Sequence, residues 1–490
     1  MSISFFNTIS GKKEEFKPLN DGKVTMYCCG ITPSNSVHIG HSRTFFTYDL
    51  LYRTLKDHDY DIQWARNVTD VDDKIIAKAN SEGVSCETIV NRYVAEQDSM
   101  LQEFHLLKPQ HEPKVTEHIA HVIDHIKKLI ANEMAYASST GVYFRVRKYE
   151  QYGKLSKNRI DELRIGVRID VDDSKEDPLD FALWKFAKPG EIKWTSPWGE
   201  GRPGWHIECS AMVHALFGDT IDIHMGGRDL IFPHHEAEIA QSEGASGKEF
   251  SKIWMHAGML TLNNEKMSKS TNHFVSITDF LSKYPGEVLR LFFLSAGYTQ
   301  PLDFTFDLAD QNLKKLSRLY RFVDLVDSYA NTKANNLPPF EDSVFQSLET
   351  LIVKMRNSLA DDLNSAASLA VFFEFVREVN TSFSKMEKQG KSLNSEDINL
   401  VNTYWPTLKN WLANTLGILV QKPDEFFKSL HKYKLGTELS SIQIQQKIDL
   451  RKQARDNKNW KESDTIRDEL LAQGIQIQDA PQGTKWTVQL

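Results

Sequence analysis

Residues 1 to about 110 carry apolar and polar positions in the rhythm of strands followed by amphipathic helices. The run Val24-Thr25-Met26-Tyr27-Cys28-Cys29 is too continuously apolar for a half-exposed strand and predicts a buried one. Over residues 42–55, Phe45, Phe46, Leu50, Leu51 and Leu55 recur at helical spacing. A second strand is expected over 60–68 and further helices over 74–80 and 88–107. Strands alternating with helices in this way predict an α/β fold, a doubly wound parallel sheet.

The pattern changes further along. A helix over 117–133 leads into short strand-like pieces such as 142–146, then a polar stretch, 170–177, ending at Pro178. This reads as an insertion. Sheet-like segments return at 205–210, 220–225 and 253–262. From Phe306 to about Val420 the pattern is helical, with Leu313, Leu316, Leu319, Tyr320 and Val323 as an apolar stripe. A helical pair follows from about Gln443, and the tail closes with a turn and a short strand ending at Val488. The sequence contains no internal repeat and no low-complexity tract.

Length and composition narrow the class. A chain of 490 residues predicts about three or four domains. No apolar run is long enough to span a bilayer, and the first residues lack the basic and apolar regions of a secretory signal, so a cytoplasmic protein is expected. Four cysteines, Cys28, Cys29, Cys86 and Cys209, are too few for a disulfide framework and leave thiols for metal binding. The net charge of −7 argues against nonspecific coating of nucleic acid. A local basic run, Lys447, Arg451, Lys452, Arg455, Lys458 and Lys461, reads equally as a solvated helix face or an RNA contact.

Three constellations carry candidate chemistry. His38-Ile39-Gly40-His41 sits where the first strand hands over to its helix, the place where open α/β sheets bind phosphates. Gly40 lets a flat ligand lie against the backbone, and His38 and His41 can donate hydrogen bonds to developing negative charge. Far downstream, Lys266-Met267-Ser268-Lys269-Ser270 places two lysines three apart in a polar loop, able to clamp a polyphosphate. On the segment opened by Pro233, expected near the first helical position, His234 and Glu238 stand at i and i+4 and share a face. Such a pair is half a metal site or a surface interaction. Cys29 and Cys209 are candidates to complete a tetrahedral set, which spacing alone does not decide. The cluster around Thr69 to Asp73 is a ligand contact or a helix cap.

Taken together, His-Ile-Gly-His followed by Lys-Met-Ser-Lys-Ser resembles the two signatures of the class I aminoacyl-tRNA synthetases. Gly204-Trp205-His206-Ile207-Glu208-Cys209-Ser210, Met26-Tyr27-Cys28-Cys29-Gly30 and the block from Gly226 to Glu236 resemble the cysteinyl-tRNA synthetase family, as does the closing Pro481-Gln482-Gly483-Thr484-Lys485-Trp486. The resemblance spans essentially the whole chain. It implies a Rossmann-like catalytic domain split by an insertion (1–115 and 199–260, with 116–198 inserted). A lysine-loop and stem-contact region (261–305), an α-helical bundle (306–425) and a small C-terminal α/β anticodon-binding domain (426–490) follow.

The resemblance also implies the chemistry. L-cysteine is activated by ATP, with Mg2+, to cysteinyl-adenylate and is then transferred to the terminal ribose of tRNA(Cys). One Zn2+ per chain, on Cys29, Cys209, His234 and Glu238, selects the substrate thiolate. His38, His41, Lys266 and Lys269 act on the phosphates. Gly40, Gly227 and Asp229 are assigned to ATP, and Thr69 and Trp205 to the cysteine pocket, although core packing alone would equally explain Trp205. Cys29 is preferred to Cys28 because the family's ligand directly precedes the glycine, here Gly30; His235 is the near miss for His234. A monomer is expected.

Three alternatives share parts of the pattern. An ATP-dependent cysteine ligase of small-molecule thiol biosynthesis would lack the C-terminal part. Against another class I synthetase, such as the methionine enzyme, stand Cys29, Cys209, His234 and Glu238 with the Gly-Trp-His block; against a non-catalytic tRNA-binding paralogue stand the intact motifs. The chain departs from the family at 33–37, where Pro-Ser-Asn-Ser-Val replaces a more usual Val-Tyr-Asp start. It departs again at Thr271-Asn272, where Leu-Gly is common.

Overall fold

A computed structural model describes residues 2–159, 174–267, 273–330, 337–434, 441–480 and 483–488. The chain forms two compact units, Met1–Phe274 with Ala296–Asp303 and Asn357–Asn364, and Val275–Ser295 with Phe304–Arg356 and Ser365–Leu490.

The first unit is built on a parallel sheet in the order Ser251–Ala257, Ile221–Gly227, Lys23–Cys28, Asp61–Arg66. Both faces are covered, which is why its strands read as continuous apolar runs. Val24, Met26, Tyr27, Cys28, Ile221, Ile223 and Met225 are all fully buried. The chain leaves Lys23–Cys28 for the strand on one side and later returns to the other side. The strand order therefore reverses between Lys23–Cys28 and Ile221–Gly227. Ligands of open α/β sheets bind beyond the carboxyl ends of the strands at such a switch point, and Cys29 and Gly227 lie at those two ends.

The helix after the first strand spans Ile39–Asp57 and buries Phe45, Phe46, Leu50, Leu51 and Leu55, the stripe expected from spacing. It starts earlier than the apolar pattern because His38 caps it. The His38 ring accepts a hydrogen bond from the Gly40 N–H at 3.2 Å. Arg43, buried on this helix, donates to the Met259 carbonyl at 2.7 Å and fixes the helix to the chain beyond the last sheet strand.

An antiparallel sheet of Ala135–Ala137, Gly141–Phe144, Phe181–Phe186 and Gly201–Pro203 is inserted between the halves of the parallel sheet. Three expectations are corrected. Residues 205–210 are not a strand: the strand ends at Pro203, and Ile207–Phe217 is a helix. That helix packs against Ile119–Ala131 and Glu236–Ser246 and buries every residue from Ile207 to Val213, Glu208 and Ser210 included, so its first turns have no solvent face and show no helical periodicity. Residues 253–262 are two strands, Ser251–Ala257 and Leu260–Leu262, broken where the Gly258 N–H donates to the Tyr298 carbonyl. Pro233 is not at the first position of its α-helix, which is Glu236–Ser246; it lies in a wider helical turn, Ile231–His235, just before it.

The second unit is helical, with Phe306–Ala330, Ser365–Lys388, Ser395–Trp411 and Pro423–Lys434 among its helices. Leu313, Leu316, Leu319, Tyr320 and Val323 are buried as the stripe predicts. Its end is a helical pair, Ser441–Asp456 and Trp460–Ala472, and a hairpin, Ile475–Ala480 with Gly483–Val488. Trp486 packs against the small core of Ile444, Ile448, Leu470 and Ile475. Half of the basic run is spent internally: Arg451 grips Asp479 through two hydrogen bonds, Arg455 pairs with Asp479, and Lys447 pairs with Glu469.

Candidate active site and metal cluster

A cleft of about 400 Å³ opens at the switch point, lined by residues from every element that meets there. His38, His41 and Thr44 come from the start of the first helix, Asn67 and Thr69 from the end of the second strand, and Gly227 and Asp229 from the end of the third. Cys29 and His234 reach it from one side, with Trp205 at its mouth. The His38 and His41 rings stack with centroids 3.6 Å apart at the helix N-terminus, where the backbone dipole favours an anion. Trp205 is 40% exposed, which core packing does not explain, and its ring stacks on His234 at 4.5 Å.

Not every expected residue lines this cleft. A Cβ on Gly40 would meet the His38 ring at 2.9 Å and the Met267 methyl at 3.1 Å, so the space beside this glycine holds protein side chains. Lys266 is exposed on the short strand Glu265–Lys266 and is not a lining residue. Lys269 lies outside the described residues.

Behind the cleft, Cys29, Cys209, His234 and Glu238 present ligand atoms all within 4.8 Å of one another, each residue buried. The two sulfurs are 3.9 Å apart and both thiols are free. Cys29 Sγ is 3.5 Å from Glu238 Oε1, which is 2.9 Å from His234 Nε2. Soft thiolate, imidazole and carboxylate form the donor set of a transition-metal site. Burial alone would raise the Glu238 carboxyl, but the facing His224 and His234 imidazoles overcome it and hold it well below the ordinary value. Burial lowers His234, yet Glu238 and Cys209 carry it up to about 10. Contact with Cys29 drops the Cys209 thiol to about 6 against its burial, while burial and the neighbouring Cys209 push Cys29 up. The cluster thus favours the charged forms of Glu238 and Cys209 among buried side chains.

A second overlapping group, Cys29, His224, His235 and Glu238, also converges within 4.8 Å. Sequence reasoning missed the roles of these histidines. His224 Nε2 lies 2.8 Å from Glu238 Oε2, and His235 Nδ1 lies 2.8 Å from His256 Nε2, whose ring in turn meets the Thr8 hydroxyl. His224 and His235 are fully buried and line no part of the cleft, whereas Cys29 and His234 do. The sequence held no spacing signal for them: His224 sits in the apolar strand Ile221–Gly227 like any core residue. Glu208, buried beside Cys209 and hydrogen-bonded by Thr69 at 3.1 Å, was likewise missed.

Residues 15–314 match the family model described as tRNA synthetases class I (C) catalytic domain, and residues 354–421 match the DALR domain. Cysteine–tRNA ligase of Geobacter metallireducens is 44% identical over 494 residues, covering 100% of both chains. Cysteine–tRNA ligase of Thermodesulfovibrio yellowstonii is 42% identical, covering 99% of each. Among solved structures, methionyl-tRNA synthetase of Mycobacterium tuberculosis bound by methionyl-adenylate matches with a TM-score of 0.59 at 15% identity, over 84% of this chain and 92% of that one. At that identity the likeness speaks to the fold.

Proposed function

This chain belongs to the cysteine–tRNA ligase family of class I tRNA synthetases, and we propose that Cys29, Cys209, His234 and Glu238 hold one Zn2+ that selects the substrate thiol. The enzyme joins L-cysteine to tRNA(Cys): the cysteine carboxylate attacks the ATP α-phosphate, releasing pyrophosphate, and the terminal ribose of the tRNA then takes the activated acyl group. Neither step calls for a nucleophilic side chain, so the work of the protein is positioning and charge stabilisation.

Distances support zinc. Bond lengths of about 2.3 Å to sulfur and about 2.0 Å to oxygen or nitrogen give tetrahedral edges of about 3.8 Å between sulfurs and about 3.5 Å from sulfur to oxygen. The observed 3.9 and 3.5 Å agree with these; the 2.9 Å His234–Glu238 pair is a few tenths shorter than the corresponding edge. When bound, zinc lowers the pKa of a thiol and prefers its sulfur to the hydroxyl oxygen of serine. An apolar pocket cannot strongly reject so close an isostere.

The remaining roles rest on the family resemblance, and the lining of the cleft supports those of His38, His41, Thr69, Trp205, Gly227 and Asp229. His38 and His41 face the phosphates, and Gly227 and Asp229 the ribose or the amino end. Thr69 and Trp205 frame cysteine. Lys266 and Lys269 neutralise pyrophosphate as it leaves, with Mg2+ accompanying ATP. Gly40 belongs to the ATP side through the tight first turn of its helix. The second unit carries the tRNA, which the alignment of relatives through the chain's end supports over a small-molecule thiol ligase. The family resemblance alone supports a cytoplasmic monomer. No helix among the described residues is long and apolar enough to cross a membrane.

The observation that carries this reading is a pair of buried, unbridged thiols beside the same cleft that the stacked histidines line. The test is ATP–pyrophosphate exchange by the purified chain without tRNA. Cysteine drives exchange and serine does not; exchange equally supported by serine contradicts the reading.

A further inference from the structure

Glu208 is a fully buried acidic side chain that the reaction as described does not use. It accepts a hydrogen bond from Thr69, and that bond is the end of a chain. The chain starts at Gly30, whose N–H donates to Asn67 Oδ1 at 2.8 Å. The approach is close enough that a Cβ on Gly30 would lie 2.1 Å from the Asn67 carbonyl oxygen, so only glycine brings the two backbones together. A backbone N–H can only donate, which fixes the orientation of the Asn67 amide. Asn67 Nδ2 therefore donates to Thr69 Oγ1 at 3.1 Å, and the Thr69 hydroxyl donates onward to Glu208 Oε2 at 3.1 Å. All three side chains are at most 4% exposed, and Thr69 and Asn67 line the catalytic cleft while Glu208 stands behind them.

A hydroxyl has one proton and two lone pairs. In Thr69 the proton is committed to Glu208 and one lone pair to Asn67. What remains for a ligand in the cleft is a lone pair. We propose that Glu208 is a positioning residue that fixes the polarity of the Thr69 hydroxyl, making it an acceptor for the α-ammonium group of the substrate amino acid. The ammonium is the part of cysteine that neither the metal cluster nor the phosphate-binding histidines recognise, and as a pure donor it needs hydrogen-bond acceptors. This rests on the reading of the cleft as the cysteine site.

The test compares L-cysteine with 3-mercaptopropionate, which keeps the thiol and the carboxylate but lacks the amine. KM for cysteine and Ki for 3-mercaptopropionate are measured by pyrophosphate exchange in the wild type, Glu208→Gln, Thr69→Val and Thr69→Ser. Glu208→Gln and Thr69→Val raise KM for cysteine at least 10-fold and leave Ki for 3-mercaptopropionate within 2-fold. Thr69→Ser, which retains the hydroxyl, keeps the wild-type ratio. Equal weakening of both ligands in Glu208→Gln would mean a merely structural role and overturn the proposal, as would an unchanged ratio. Failure of the wild type to bind either thiol overturns both this inference and the reading of the cleft, which separates that failure from a failure of Glu208 alone.

Discussion

Replacing His224 with Phe tests whether this histidine orients a metal ligand. His224 is fully buried, its Nε2 lies 2.8 Å from Glu238 Oε2, and its ring stacks on Trp254 with centroids 4.4 Å apart. Its other nitrogen, Nδ1, has no hydrogen-bond partner among the described residues. A hydrogen bond to a charged group contributes about 1.5–3 kcal/mol, and a buried unsatisfied polar atom costs about 1–3 kcal/mol. Phe keeps the aromatic stack and removes the orphan Nδ1, but it leaves a buried carboxylate oxygen of Glu238 without its partner, so the fold is destabilised by about 1–3 kcal/mol. Metal affinity falls as well. Glu238 loses the donor that orients its second oxygen, and loss of such a partner typically weakens metal binding about 10–100-fold. Competition with a chromophoric chelator gives the zinc affinity, and thermal melting of the zinc-loaded protein gives the stability. Zinc affinity within 2-fold of wild type, with the melting temperature unchanged, would refute the claim that His224 sets the orientation of a metal ligand.

Two other outcomes follow, the first from the family's lysine motif and the second from the structure. Lys269→Ala leaves cysteine binding intact and slows pyrophosphate exchange by about 100-fold, the loss expected of a donor to transition-state charge; an unchanged exchange rate removes the role assigned to that lysine. Burial pushes the Glu287 carboxyl from 4.5 to about 7, although the Tyr320 hydroxyl and the Leu419 N–H donate to it. A raised carboxyl stabilises the fold below its unfolded pKa and loses that contribution as pH rises through the folded value. The second unit therefore loses up to about 3 kcal/mol from this group between pH 4.5 and 7. Melting of Glu287→Gln compared with wild type across that window shows the difference, and parallel pH profiles would contradict it.

What the sequence made legible was whatever has a local period. The strand before His38, the helix carrying Phe45, Phe46, Leu50, Leu51 and Leu55, and the stripe from Leu313 to Val323 could be read because one face of each is buried and the spacing records it. His234 and Glu238 were legible as a pair for the same reason. Illegible were elements buried on all sides. The first turns of Ile207–Phe217 have no solvent face, so these residues read as a strand, and with them went the setting of Glu208 and Cys209. His224, His235 and His256 meet across separate elements, and only the tertiary fold brings their rings together. Gly40 shows the converse: its sequence context suggested an open platform, but the Met267 methyl, more than two hundred positions away, packs beside it.

The central claim is that a zinc ion on two cysteines, a histidine and a glutamate recognises the substrate by its sulfur. X-ray absorption at the zinc edge of the purified enzyme counts the sulfur neighbours of the ion directly. The account predicts two sulfurs in the free enzyme, three with L-cysteine and still two with L-serine. An enzyme that activates cysteine without zinc, or whose zinc gains no sulfur when cysteine binds, would contradict it.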